Sequence, residues 1–341
     1  MSSSEKKVYY FLDILKLFFA CMIPLLHMKY AGGPKLGILQ EYIARLGVPF
    51  FFAVTGLLLE EKLSACAGDD PSSGWKTGLK FIKRAAFLLI FWAIIDLPAE
   101  FFIRSGSPGG SNVIMFIKEV FFMTPGYLWY LGALIIGEAL YLLLRVTFRL
   151  DIYKVLIITG ILYVIGTLGN SWSIVVRIFP NWYEDIFLTT RNGLFFAPFM
   201  IAAGALLTKA RSLSRGMSFA LFLLSAALFA AEVWFIRSRV TGEFDSSMYF
   251  SLPLIEFFIV KCGMDINVRG RIRPLCAYLR KLSVLIYCCQ YVCLTAGYYL
   301  FYFRLPKALY MLAVYAILLP VSVILLIIIE KSHVRWLKKL V

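Results

Sequence analysis

A succession of apolar runs, each of roughly 18 to 22 residues, restricts this chain more than any other feature, because each run can cross a ~30 Å hydrocarbon core as a helix. Backbone groups surrounded by lipid tails must be satisfied within the segment, so such runs fold as transmembrane helices rather than as barrel strands. Ten spans are expected, at residues 8–28, 43–60, 84–103, 125–144, 155–170, 191–208, 217–236, 248–264, 282–303 and 308–330. The fifth is the weakest, since Gly160, Gly166 and Gly169 interrupt a run that is already short. A further amphipathic stretch, Ser111 to Met123, is expected to lie at the membrane surface. A hydrophobic share of 61%, a mean hydropathy of +0.80 and only 16% charged residues exclude an ordinary soluble domain. The longest hydrophilic stretch, Glu60 to Lys83, is too short for a core of its own. The expected fold is therefore an all-α integral membrane protein, with residues 1–341 forming a single polytopic membrane domain of ten transmembrane helices.

An even number of spans places both termini on one side, and the basic residues choose which. With the N-terminus inside, 23 of the 35 Lys and Arg fall in or beside cytoplasmic segments, against 11 outside and Lys16 within the membrane. That asymmetry predicts a multi-pass protein of the cell membrane with cytoplasmic termini. The net charge of +15 then reads as a topology and anionic-lipid signal, and no nucleic-acid partner is expected. Lys29-Tyr30 rather than a small-residue cleavage site follows the first run, which is expected to stay as a signal anchor. The seven cysteines form no metal or redox spacing and read as small core residues. A homo-oligomer stays open, and no second domain or inverted repeat is detected.

Ionisable residues inside the spans are where chemistry is expected. The first span carries Asp13, Lys16 and His27. At about 100° per residue, Lys16 and His27 project from nearly the same side, and Asp13 falls within about 40° of it. Charges at membrane depth are costly when they face lipid, so this side must face an interior cavity. Lys16 lies about nine residues, or ~13 Å of rise, inside the cytoplasmic edge, and needs a partner such as Asp13 or a ligand phosphate. His27 is the only histidine in the apolar part of the chain and has the usual side chain for taking a proton from a hydroxyl. Thr55-Gly56 offers a small polar patch in the second span, whose opening Gly and Pro permit close approach or a kink. Tyr127 and Trp129 open the fourth span, and Arg191 and Asn192 the sixth, where an arginine either anchors at the interface or recognises a ligand. Trp172, Trp182 and Tyr183 are expected at the outer interface. Glu138, Glu232 and Glu256 also lie within spans, and pairing of one of them with Arg191 or Lys16 is expected.

These segments together resemble the membrane acyltransferase-3 family. Its first helix carries a basic residue, ten intervening residues and a histidine, which Lys16 and His27 reproduce; Val48-Pro49-Phe50-Phe51-Phe52-Ala53-Val54-Thr55-Gly56 is similar to its second-helix motif. Within that fold, Leu128 to Leu134, Gly169 to Trp172, Thr190 to Phe196 and Asp245 to Tyr249 look like the membrane portion of vancomycin-resistance serine racemases. The chain departs from the pattern in places. Lys16 stands for the usual arginine and Thr55 for the usual serine, Lys80 and Lys83 only echo a pair of arginines, and Gln290 stands near the usual ninth-span histidine. Gln290 can hydrogen-bond but cannot exchange a proton as imidazole does.

The resemblance implies O-acylation of an extracytoplasmic carbohydrate or cell-envelope hydroxyl from a cytoplasmic acyl-CoA-type donor. Lys80, Lys83 and Arg84 would meet the donor phosphates, and Lys16 with Asp13 would line the way to His27 as general base. Thr55, Tyr127, Trp129, Arg191, Asn192 and Gln290 would contact substrate. No metal or tightly bound cofactor is implied, acyl-CoA being a co-substrate and membrane lipids the surroundings. The racemase likeness implies instead a transporter or binder of a small polar metabolite such as serine.

Overall fold

The computed structural model describes residues 8–28, 34–66, 71–105, 128–176, 178–180, 183, 189–240 and 246–341. Tyr127, Trp182 and the Ser111 to Met123 stretch lie outside them. Among the described residues there is no strand, and eleven α-helices follow in chain order: α1 Tyr10–Leu26, α2 Pro34–Tyr42, α3 Gly47–Ala65, α4 Pro71–Ser105, α5 Trp129–Leu142, α6 Ile152–Leu168, α7 Ala197–Leu206, α8 Arg215–Arg237, α9 Leu252–Asp265, α10 Arg273–Phe301 and α11 Lys307–Lys331. Apart from the short α2, each helix coincides with one expected apolar run. Five segments, Gly37–Ala65, Trp129–Thr147, Arg215–Arg237, Arg273–Phe301 and Lys307–Lys331, are long and apolar enough to cross a membrane by length and composition; α6 and α7 are apolar but shorter.

Two helices begin well before their apolar runs. α4 starts at Pro71, so most of the expected hydrophilic loop is helical and Lys76, Lys80, Lys83 and Arg84 ride on its first turns. α10 starts at Arg273 with Pro274 in its first turn and carries Arg280 and Lys281. Proline at a helix start sets φ in advance, and Lys and Arg are good helix formers, so polarity alone misplaces both boundaries. Asp151 fixes the start of α6 by accepting from the backbone N–H groups of Tyr153 at 3.0 Å and Lys154 at 3.1 Å. Those bonds, the one from Lys154 foremost, hold its carboxyl below its ordinary range. The cap is therefore fully charged above the ordinary carboxylate range and is lost only as pH falls through the lowered value.

α3 runs through the middle of the bundle. It crosses α7 at Gly56 and Gly204, where a Cβ on Gly56 would overlap the Ile201 carbonyl and one on Gly204 the Ala53 carbonyl. Small residues there let two backbones touch. α1 packs on α10, α10 on α11, α4 on α5 and α8 on α9. The outward faces of α8 and α11 expose Phe219, Leu223, Trp234, Leu312, Ile324 and Ile327, as lipid contact requires. Arg273 lies over the Tyr10 ring at 5.2 Å and Lys281 Nζ meets Glu330 Oε1 at 2.5 Å, so the start of α1 and the end of α11 share one face of the bundle, the terminal face.

At the opposite face Glu232 fastens the loops. Its carboxylate accepts from Trp172 Nε1 at 2.7 Å, from the Phe250 and Ser251 N–H groups at 2.8 Å each, and from Ser251 Oγ at 2.5 Å. Of the three glutamates expected to include a partner for Arg191 or Lys16, Glu232 instead caps the start of α9. Asn170 acts similarly, its Oδ1 accepting from the N–H groups of Ser247 and Met248 at 2.9 Å each. Glu232→Ala strands these donors and is expected to cost about 2 kcal/mol, read as a lower thermal midpoint in detergent. An unchanged midpoint would contradict the role.

Candidate functional site

On α1, Lys16 Nζ meets Asp13 Oδ1 at 3.0 Å, one helical turn back, as their spacing predicts. The buried Asp13 also receives Arg280 Nη1 of α10 at 3.3 Å on its other oxygen. Beside this triad α1, α3, α4, α5 and α10 enclose a cavity of about 390 Å³, within the usual range of ~300 to 1,000 Å³ for small-molecule sites.

Each long helix gives it a stripe at three- and four-residue spacing: Phe51, Thr55, Leu58 and Lys62 from α3; Lys80, Arg84 and Leu88 from α4; Tyr130, Leu134 and Glu138 from α5; and Arg280, Ser283 and Tyr287 from α10. The cations gather toward the terminal face, where Lys62, Lys80, Arg84 and Arg280 are exposed. Five basic side chains, counting Lys16, therefore surround the space, and such a cleft concentrates anions. Farther in, the walls turn apolar and then aromatic. The Tyr130 ring contacts Phe52 at 4.7 Å, Tyr287 at 5.5 Å and Phe51 at 6.0 Å, forming a floor. Behind it Phe52 and Trp129 pack on Phe196 at 5.7 and 6.3 Å, and the Arg191 guanidinium lies over the Trp129 ring at 4.6 Å.

Lys16, Thr55, Lys80 and Arg84 are thus gathered around one space, with Asp13 tied to it through Lys16 and Arg280. Lys83 is exposed on another side of α4. Trp129 and Arg191 stand behind the aromatic floor, and Tyr127 lies outside the described residues. Asn192 uses its amide locally: Oδ1 accepts from the N–H groups of Leu194 and Phe195 at 2.9 and 3.1 Å, and Nδ2 donates to Tyr183 OH at 3.2 Å and Thr189 O at 3.1 Å. That shapes the turn into α7. Gln290 is fully buried in α10, off the cavity wall, with no hydrogen-bond partner for its amide among the described residues. His27 ends α1, half-buried, its backbone N–H bonded to Pro24 O at 3.1 Å. It does not line the cavity.

Among the polar wall residues, sequence reasoning gives no site role to Lys62, Tyr130, Arg280 or Ser283, and it places Glu138 inside a span without assigning it to a site. Once the inward side is known, Glu138 follows Leu134 by four residues and Leu131 by seven on one helical face, and Arg280 precedes Ser283 by three and Tyr287 by seven.

An all-helical bundle with lipid-facing outer helices and a cation-rimmed cavity is a multi-pass membrane protein. Residues 9–330 match the acyltransferase-3 model, described as an acyltransferase domain, and the chain belongs to that membrane-embedded family. It is 31% identical over 248 residues to the serine/alanine racemase of Enterococcus gallinarum, covering 69% of this chain and 33% of that protein. It is similar to two amino-acid racemases of Enterococcus faecalis, 33% identical over 177 residues (49% of this chain, 23% of that one) and 26% identical over 259 residues (71% and 35%). The chain spans about a third or less of the length of these curated relatives. No solved structure matches it.

Proposed function

We propose that the chain is a membrane O-acyltransferase that moves an acyl group from a cytoplasmic acyl-CoA-type donor to a hydroxyl of an extracytoplasmic carbohydrate or cell-envelope acceptor. The cavity carries this reading: cations at an opening on the terminal face, then apolar walls, suit a ligand with phosphates at one end and a thioester at the other. In this reading the bundle spans the cell membrane ten times and its terminal face is cytoplasmic. The donor phosphates meet Lys62, Lys80, Arg84 and Arg280, with Lys83 adding to the surrounding field. Lys16 lines the path while Asp13 holds it in place. The thioester arm runs past Leu134 and Leu88 toward Thr55 and Tyr130.

His27, about 16 Å of helix rise beyond Lys16, is the general base. It takes the acceptor hydroxyl's proton as the oxygen bonds to the thioester carbonyl carbon. The carbon–sulfur bond then breaks, and the thiolate leaves and is protonated to the free thiol. The acyl end reaches His27 past the Tyr130–Tyr287 contact, which must open. Trp129 and Arg191 lie behind that contact, where an acceptor arriving from the opposite face meets them.

The test uses acetyl-CoA labelled in its acetyl group, with purified protein in lipid bilayers and cell envelopes as acceptor. Label transfer is expected with the wild-type protein and is expected to fall at least tenfold in Lys16→Ala, which leaves Asp13 paired only with Arg280. Full transfer by a correctly inserted Lys16→Ala protein would overturn Lys16's role, and no transfer by wild type would overturn the reading.

A second reading is favoured by one observation: Glu138 lies in the same cavity as the five cations, so the cavity presents partners for both charges of a zwitterion. The relatives' names, serine/alanine racemase and amino-acid racemase, point the same way. Here the chain binds or transports a small amino acid such as serine. Labelled serine inside proteoliposomes equal to that in empty vesicles, across pH gradients, excludes it.

A further inference from the structure

Glu138 is the single acidic side chain on the cavity wall among the described residues. It is only 1% exposed, and its Oε2 has no hydrogen-bond partner. Several other carboxylates of the bundle are engaged. Glu60 accepts from Arg145 Nη2 at 2.7 Å and Tyr141 OH at 2.8 Å, Glu61 takes Arg211 Nη2 at 2.6 Å, and Glu232 takes four donors. Glu256 also lacks partners but is off the cavity wall. Glu138 alone combines an unsatisfied oxygen with a place on the space a ligand would fill. The cations along that wall do not pair with it: Lys16 pairs with Asp13, and Lys62 Nζ lies 4.5 Å over the Phe81 ring.

A buried carboxyl group whose Oε2 has no partner is costly in surroundings this apolar. Leu131 and Leu134 precede it on the same stripe, and another leucine would fill the position without that cost. The side chain lies eight residues, or about 12 Å of rise, from Tyr130 at the floor. It therefore stands between the exposed cations and the closed end.

We infer that Glu138 is a recognition residue whose buried carboxyl group, with Oε2 unpartnered, takes an N–H group of the cavity's ligand while the cationic rim takes its anionic end. The inference rests on the cavity being a ligand site, as the proposed function holds. Two sources share this chemistry: the amide N–H groups along the pantetheine arm of an acyl-CoA-type donor, and the ammonium of an amino acid.

The experiment measures binding to the full chain in nanodiscs with three probes: coenzyme A; adenosine 3′,5′-bisphosphate, which keeps phosphates but lacks the pantetheine arm; and L-serine. Glu138→Leu is expected to weaken coenzyme A about 10- to 100-fold, the worth of a hydrogen bond to a charged group, and to leave the bisphosphate within about twofold. Glu138→Gln, which keeps an acceptor oxygen at the same size, is expected to fall between. The thermal midpoint of Glu138→Leu is expected to equal or exceed that of wild type, because a buried polar group lacking a partner is replaced by an apolar one. Equal losses for coenzyme A and the bisphosphate, or no loss for either, overturn the inference. Should wild type bind neither nucleotide, the acyl-donor reading falls, and the inference stands only if serine binds and is lost in Glu138→Leu. Absent or unchanged serine binding then overturns it too.

Discussion

Leucine in place of Gly56 is expected to leave almost no folded protein in the membrane. A Cβ on Gly56 would overlap the carbonyl of Ile201, and its reciprocal contact, Gly204 on Ala53, is equally tight. Both obstacles are backbone, so no side-chain rotation relieves them and α3 and α7 must separate. Separation also breaks the Phe52–Phe196 contact behind the cavity floor. We expect a loss of about 4 kcal/mol or more, the size reserved for overpacked interiors, seen as a collapsed monodisperse peak in size-exclusion chromatography. Gly204→Leu is expected to do the same. Gly216→Ala, on α8 with open space around it, is expected to be neutral or stabilising by about 0.5 kcal/mol. A wild-type elution profile for Gly56→Leu would show that the two helices are not locked there.

His27→Ala carries the second large expectation. A positioned general base contributes about 10² to 10⁴ in rate, so kcat for acyl transfer is expected to fall by that factor. Coenzyme A affinity is expected to be unchanged, because His27 is not on the cavity wall. Arg84→Ala is expected to show the converse, a raised KM for donor with kcat nearly preserved. Retained kcat in a correctly inserted His27→Ala protein would remove the histidine from the chemistry; lost coenzyme A affinity would place it in the donor site.

Which parts of this molecule are legible in sequence follows from what the membrane does to a chain. Apolar runs disclose helices because lipid leaves the backbone no other way to satisfy itself, and ten helices lie where ten runs are expected. The Asp13–Lys16 pair is legible because it is local, one turn of one helix. Arg280 on Asp13 is not, since it joins residues far apart in the chain. Glu138 is legible as an ionisable residue within a span, but its place on the cavity is not, because α5 is apolar on nearly every side and periodicity does not say which side faces inward. The starts of α4 and α10 are missed because their basic first turns resemble loops. Those turns carry most of the cavity's exposed cations. Asn192, a polar residue at a helix start, spends its amide on the turn it builds, which its sequence position alone does not disclose.

The aromatic floor has an electrical consequence. A cavity open to one side holds that side's potential down to its closed end, so most of the transmembrane voltage falls across the thin layer of Phe52, Tyr130, Trp129 and Phe196. An anion docking among the cations crosses little of that field, and its affinity should be nearly independent of membrane voltage. A charge carried past Tyr130 crosses almost all of it, at about 2.3 kcal/mol per 100 mV.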